Sequence, residues 1–466
     1  MRSGAREFLA ILCALTTACS VGTPYAKPNI PLAQNWQAED SGAGAAGAAV
    51  WPAADWWHGF GSARLDQLIA QAQQSNDDLA GAVARIQEAD AQLRIAGAPL
   101  LPTVDLGATA TRERAPVSGD SSFPTYNLFN PVLTASYELD FWGKNRLARD
   151  AARALAVASR YDRETVALTV ISSVATTYLQ ALELRERIEV AEQNLANSEK
   201  ILKGLSFQQQ VGTATGLDVA QQDTAVALLR AAIPPLQEQF RQTVYGLAVL
   251  IGKTPETVDV TEGTLNDLKV PQVVAGLPSQ LLARRPDVAE AEQQLISANA
   301  DIGVARAELF PSIALTASGG YESGALASLV SPATRVWAVS AGLTQPIFHG
   351  GALRGQLAYS KARYTELLTT YHKTVLTALS NVESALVAAG QTAQQQTRQA
   401  DAVAKAQRAY EFAQAQMAAG TINVLTVLNT ENALFSAKDT LVQVQYSRLQ
   451  AMIDLYTALG GGWRQG

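Results

Sequence analysis

The chain has 466 residues, 48% hydrophobic and 17% charged, which excludes a small disulfide-stapled scaffold and a disordered, strongly charged polymer. Lys and Arg number 36 against 42 Asp and Glu, a net charge of −6, so no basic face is expected and nucleic acid is not an expected partner. The three histidines (His58, His349, His372) share no metal-ligand spacing, both cysteines (Cys13, Cys19) lie at the N-terminus, and there is no G-x-S-x-G elbow or phosphate loop; no enzyme, cofactor or metal site is expected.

Residues 1–18 read as an export leader. Arg2 and Arg6 precede the apolar run Phe8 to Leu15, which is shorter than the roughly 20 residues that span a bilayer. Thr17-Ala18 before Cys19 resembles a bacterial lipobox, with Thr16 where Leu is usual and Leu15 beside it. Cys19 is therefore the expected lipid-modified (palmitate-bearing) N-terminus. Ser20, rather than the Asp that favours inner-membrane retention, directs the expectation to the outer membrane. Residues 19–61 follow as a tether, with Pro24, Pro28, Pro31 and the Gly/Ala tract Ser41 to Val50. The cluster Trp56-Trp57-His58-Gly59-Phe60 is expected to pack rather than to bind.

A first repeat is expected over 62–252: a helix, a β-hairpin at 103–140, a long helix at 144–203 and a helix at 217–251. In the long helix the positions Thr177, Ala181, Leu184, Ile188, Ala191, Leu195, Ser198, Leu202 and Leu205 alternate spacings of three and four, the period of a coiled-coil seam. At 1.5 Å per residue the uninterrupted stretch is about 90 Å long, too long for a compact domain. Pro234-Pro235 is expected to kink or break the helix that follows. Residues 253–284, with Pro255, Pro271 and Pro278, read as a linker. It leads to Arg284-Arg285-Pro286-Asp287, where Pro and Asp suit a helix start.

The second repeat, 285–460, copies the first: a helix, a hairpin at 312–346, a long helix at 351–418 and a helix at 422–459, with a tail at 461–466. Ala96 to Leu106 (AGAPLLPTVDL) matches Ala305 to Leu315 (ARAELFPSIAL), Phe141-Trp142-x recurs as Ile347-Phe348-x, and Gly212-Thr213 recurs as Gly420-Thr421. Each hairpin holds two segments that alternate apolar and polar residues, such as Val104, Leu106, Ala108 and Ala110 against Thr103, Asp105, Gly107 and Thr109. Segments of about 9–11 such residues suit transmembrane strands. Four are too few for a closed barrel, and a membrane does not accept open sheet edges, so several chains must complete one. A lipid-anchored periplasmic coiled-coil scaffold accounts for the same heptads but leaves the four amphipathic strands unexplained.

The stretch Leu281-Leu282-Ala283-Arg284-Arg285-Pro286-Asp287-Val288, with Ala300-Asp301-Ile302-Gly303-Val304-Ala305-Arg306-Ala307, Phe310-Pro311-Ser312, Trp56-Trp57 and Leu139-Asp140-Phe141-Trp142-Gly143, resembles the outer-membrane factor family of TolC-like channels. Within it, the resemblance is to the NodT-like lipoprotein branch that works with resistance-nodulation-division (RND) pumps. The resemblance implies an internally duplicated α+β membrane protein of Gram-negative bacteria. Its long helices form a periplasmic coiled-coil barrel, and a homotrimer of four strands per chain completes the transmembrane β-barrel. An equatorial belt comes from the terminal segments and the linker. The implied partners are a periplasmic adaptor, an inner-membrane RND-type pump and outer-membrane lipid, and the implied role is passive efflux of small molecules. An exit duct for an ATP-driven protein or peptide exporter is the near alternative. The family's constriction motif appears as Leu425-Thr426-Val427-Leu428-Asn429-Thr430-Glu431-Asn432. This makes Leu425, Asn429 and Asn432 the expected pore residues, with Asp218 after the first turn. Asn429 and Asn432 replace the usual Asp and Arg, and no salt-bridged lock is expected there. Arg284, Arg285, Pro286 and Asp287 are expected to be structural.

Overall fold

The computed structural model describes residues 21–31, 33, 35–37, 51–114, 124–271, 273 and 278–463. The expected leader, Cys19 and the Gly/Ala tract lie outside the described residues. The chain divides into two units, one made of 1–29, 85–160 and 290–372, the other of 30–84, 161–289 and 373–466. The helices are α1 (Ala63–Ser75), α2 (Asp77–Gly97), α3 (Lys144–Gln210), α4 (Gly216–Leu250), α5 (Pro286–Ala307), α6 (Ala352–Ala418) and α7 (Val424–Ala458). The strands are β1 (Thr103–Arg114), β2 (Thr125–Glu138), β3 (Ser312–Tyr321) and β4 (Arg335–Thr344). The duplication is visible in the lengths: α3 and α6 both have 67 residues, and α4 and α7 both have 35.

The first unit carries an antiparallel sheet in the order β1-β2-β3-β4. Its register puts Thr103, Ser136, Thr316 and Ser340 at one level of one face, with hydroxyl pairs at 2.7 Å (Thr103–Ser136) and 2.6 Å (Thr316–Ser340). The other face presents Leu106, Leu133, Gly319 and Trp337 at one level, and Leu106 and Trp337 are 77% and 80% exposed. Apolar side chains this exposed are unfavourable in water and at home in lipid.

At the base of this sheet, Asp140 accepts hydrogen bonds from the backbone N–H groups of Asn145 and Arg146 at 2.9 Å each, an anion at the N-terminus of α3. Trp142 stacks on Phe310 and donates its indole N–H to the Pro311 carbonyl at 2.8 Å. An N-terminal strap lies along α5. Arg306 donates to the Val21 carbonyl, Asn299 to that of Thr23, and Lys27 pairs with Glu292 at 2.6 Å. Gly303 permits this approach, since a Cβ there would press on Leu147 and on the Cα of Gly22.

In the second unit Asn76 separates α1 from α2: its side chain caps the Leu79 N–H and donates to the Leu250 carbonyl. Every seventh residue of α3 from Leu184 (Ala191, Ser198, Leu205) is buried, while Ile188, Leu195 and Leu202 are half-buried on the flank. The α3 helix continues to Gln210 rather than stopping at 203, because Gly204 is followed by Leu205 on the same seam. Termination comes at Gly212, where φ is 82°.

Of the kink or break expected at Pro234-Pro235, the break does not occur: α4 is continuous through both residues. Both prolines are exposed, as are Arg230 and Ala231, whose carbonyls lose their helical donors. Water can serve those carbonyls, which offsets the lost hydrogen bonds of interior proline.

Candidate functional site at the paired helix turns

The two turns joining α3 to α4 and α6 to α7 are built alike. Gly212 and Gly420 take left-handed φ values of 82° and 72°. The next residue closes each helix: Thr213 donates its N–H to Gln208 at 2.8 Å, and Thr421 donates to Gln416 at 3.0 Å. Each following helix then opens on a polar N-cap.

At the first turn the cap is ionic. The Asp218 carboxylate accepts from the Thr215 N–H at 2.9 Å and hydroxyl at 2.7 Å, and these bonds hold its pKa below the ordinary carboxylate value. The structure thus places Asp218 in the cap, half-buried and engaged. At the second turn the cap is neutral, with the Asn423 side-chain carbonyl accepting from the N–H and hydroxyl of Thr426.

Beyond that cap α7 has two distinct faces. Leu425, Asn429 and Asn432, spaced by four and three, share one exposed stripe, and Leu425 is 46% exposed. Val424, Val427, Leu428, Glu431 and Leu434 form the buried face. Three of the four expected pore residues therefore lie together, and Asp218 belongs to the other turn.

Arg284 to Asp287 sit elsewhere in the second unit. The Arg285 guanidinium donates to both Asp287 oxygens at 2.9 and 2.7 Å and to the Ala458 carbonyl at 3.0 Å. Asp287 also accepts from the Val288 N–H, and Pro286 opens α5. Arg284 lies 4.5 Å over the Trp51 ring.

Sequence reasoning missed two polar sets in the helix pairs. Arg187 of α3 reaches Glu183 at 3.1 Å and Asp439 of α7 at 2.7 Å. Gln222 of α4, fully buried, donates to the Ser198 carbonyl and hydroxyl. The signal for Gln222 was a polar residue at an apolar helical position; Arg187–Asp439 had none, the partners being in different repeats. Among the described residues no cluster of His, Cys, Asp or Glu could hold a metal ion.

The family model described as "Outer membrane efflux protein" matches residues 68–253 and 277–461. The chain is 39% identical to the pyoverdine export outer membrane protein OpmQ of Pseudomonas putida, over 96% of this chain and 95% of OpmQ. It is 33% identical to the probable efflux pump outer membrane protein TtgC of the same species, over 98% and 95% of the two chains. The solved outer-membrane channel OprN superposes with a TM-score of 0.89 at 27% identity, covering 96% of this chain and all of that one. The chain belongs to the outer membrane efflux protein family. It is an outer-membrane channel of a tripartite efflux system, passing small molecules outward. As a homotrimer its strands complete one β-barrel, and its partners are a periplasmic adaptor and an inner-membrane pump.

Proposed function

We propose that the chain is a passive duct without chemistry of its own, narrowed where three copies of Leu425, Asn429 and Asn432 face one another. The exposed 425–429–432 stripe beside the α6–α7 turn carries this reading. A ring of three leucines followed by uncharged amides sets bore and wetting rather than a salt-bridged lock. Leu425→Ser is expected to raise single-channel conductance in planar bilayers several-fold, and Asn429→Ala to change it, with the trimer intact. Unchanged conductance and drug susceptibility, with loss of the trimer instead, would assign the stripe to packing.

Cys19 is the lipid attachment point in this reading. Val21 donates its N–H to the Trp142 carbonyl and accepts from Arg306, just before β3 and just after β2. Mass spectrometry of the mature chain should show acyl mass that Cys19→Ala removes.

The cargo we assign is a secreted compound of the pyoverdine kind, on the 39% identity to OpmQ against 33% to TtgC in the same organism. Deleting the gene should lower such secretion in iron-poor medium more than it raises solvent or antibiotic sensitivity. The opposite ranking would assign the cargo to the TtgC kind.

A further inference from the structure

Glu431 lies on the buried face of α7, adjacent in sequence to Asn432 of the exposed stripe, and is only 4% exposed. Its neighbours along the helix, Val427 and Leu434, pack with Tyr410 and Ala413 of α6. The carboxylate is hydrogen-bonded by the Tyr410 hydroxyl, and its Oε1 has no partner. A carboxylate with one donor in an apolar cluster is poorly compensated for the water it has lost.

Among the described residues no cation offsets this. From α6 the titratable group facing Glu431 is Tyr410, whose hydroxyl also bonds the neutral Gln414, while Arg408 and Glu411 are exposed. The α3 helix contributes the apolar Ile201 to the cluster, with Lys200 and Lys203 exposed. The α4 helix packs Val219 and Ala225 against the adjoining cluster, with Asp218 half-buried in its own cap and Asp223 exposed. Burial accordingly pushes the Glu431 carboxyl up to about 7, and the Tyr410 bond draws it back. The α3–α4 pair buries the uncharged Gln222 near its own turn, bonded to the Ser198 carbonyl and hydroxyl.

We propose that Glu431 makes the α6–α7 end of the channel proton-responsive: the protonated carboxyl fits the apolar packing between these helices, and the ionised one must turn toward water, loosening them and displacing the exposed stripe on the same helix. This rests on the reading of that stripe as the constriction. The carboxyl is raised in the packed state, so packing is strongest at acid pH and weakens as pH rises through the folded value. Over a pH interval of about 6 to 8, one such group changes the ratio of loosened to packed ends by about tenfold.

The test is planar-bilayer conductance of the purified trimer from pH 5 to 9, for wild type, Glu431→Gln, Tyr410→Phe and Leu425→Ser. Wild-type open probability should rise with pH around a midpoint near neutrality. Glu431→Gln should stay at the acid-side level throughout. Tyr410→Phe should move the midpoint upward, because a bond to the ionised form is lost, and this arm carries the test if Glu431→Gln fails to assemble. A flat wild-type profile, or a Glu431→Gln profile that titrates like wild type, would overturn the proposal while a changed Leu425→Ser conductance left the constriction standing. An unchanged Leu425→Ser conductance would remove the constriction, and this proposal with it.

Discussion

Replacing Arg187 with Met is expected to cost about 3 kcal/mol, because it removes one partner of a largely buried ionic set and leaves two carboxylates behind. The Glu183 side chain is 8% exposed and that of Asp439 is 21% exposed, so solvent replaces little of what the guanidinium supplies. Burial holds the Glu183 carboxyl above its ordinary value, and Arg187 draws it back. A carboxyl raised in the folded state stabilises fully only below its unfolded value, and that contribution is lost as pH rises through the folded one. Without Arg187 the folded value climbs further, so the penalty should be small near pH 5 and largest near pH 8. Thermal dissociation of the trimer in detergent across that range checks it. Adding Glu183→Gln to Arg187→Met should recover part of the loss; a double variant no better than the single one would show that the guanidinium acts through its stem packing.

Gly460→Ala is expected to be as damaging, for a steric reason. Gly460, Gly461 and Gly462 all take positive φ, at 87°, 57° and 80°. A Cβ on Gly460 would overlap the Arg284 carbonyl oxygen, one on Gly461 the Leu168 side chain, and one on Gly462 the Ala53 carbonyl. The left-handed conformation alone costs Ala about 1–2 kcal/mol. The overlap at 460 is with backbone, and Arg285 beside it is fixed by Asp287 and Ala458, so the strain cannot pass to a flexible side chain. A total of about 3 kcal/mol or more follows. Gly204 is the control: it lies within α3 and an added Cβ would meet nothing within 4 Å. Gly204→Ala should hold or raise the dissociation temperature, by helix propensity worth about 1 kcal/mol. Equal melting of Gly460→Ala and wild type would show that the C-terminal turn is dispensable.

Periodicity carried much of the fold, because seam, pleat and repeat are local patterns. The Gly212 and Gly420 turns are written in sequence as Gly-Thr followed by a polar cap, and the Thr215-x-x-Asp218 capping box was legible there too. Asp218 is a candidate pore residue by its place after the first turn, and the structure adds that its carboxylate is held by Thr215. The Pro234-Pro235 break failed because proline's penalty depends on whether water reaches the orphaned carbonyls, which exposure decides and sequence does not state. The Leu425–Asn429–Asn432 stripe follows from helical spacing. Burial of Glu431 depends on what α6 places opposite it, and Arg187 with Asp439 joins two repeats that no local pattern connects.

The sheet ends on β1 at one side and β4 at the other, each with a row of backbone groups unpaired within the chain. Every chain therefore depends on two neighbours, and a defect at one edge is a defect of the whole ring. In a cell expressing equal amounts of normal and edge-defective chains, random mixing leaves about one ring in eight free of the defective chain. A recessive-looking lesion in a single strand would then behave as a dominant one, and the gene dose of a single allele would not rescue export.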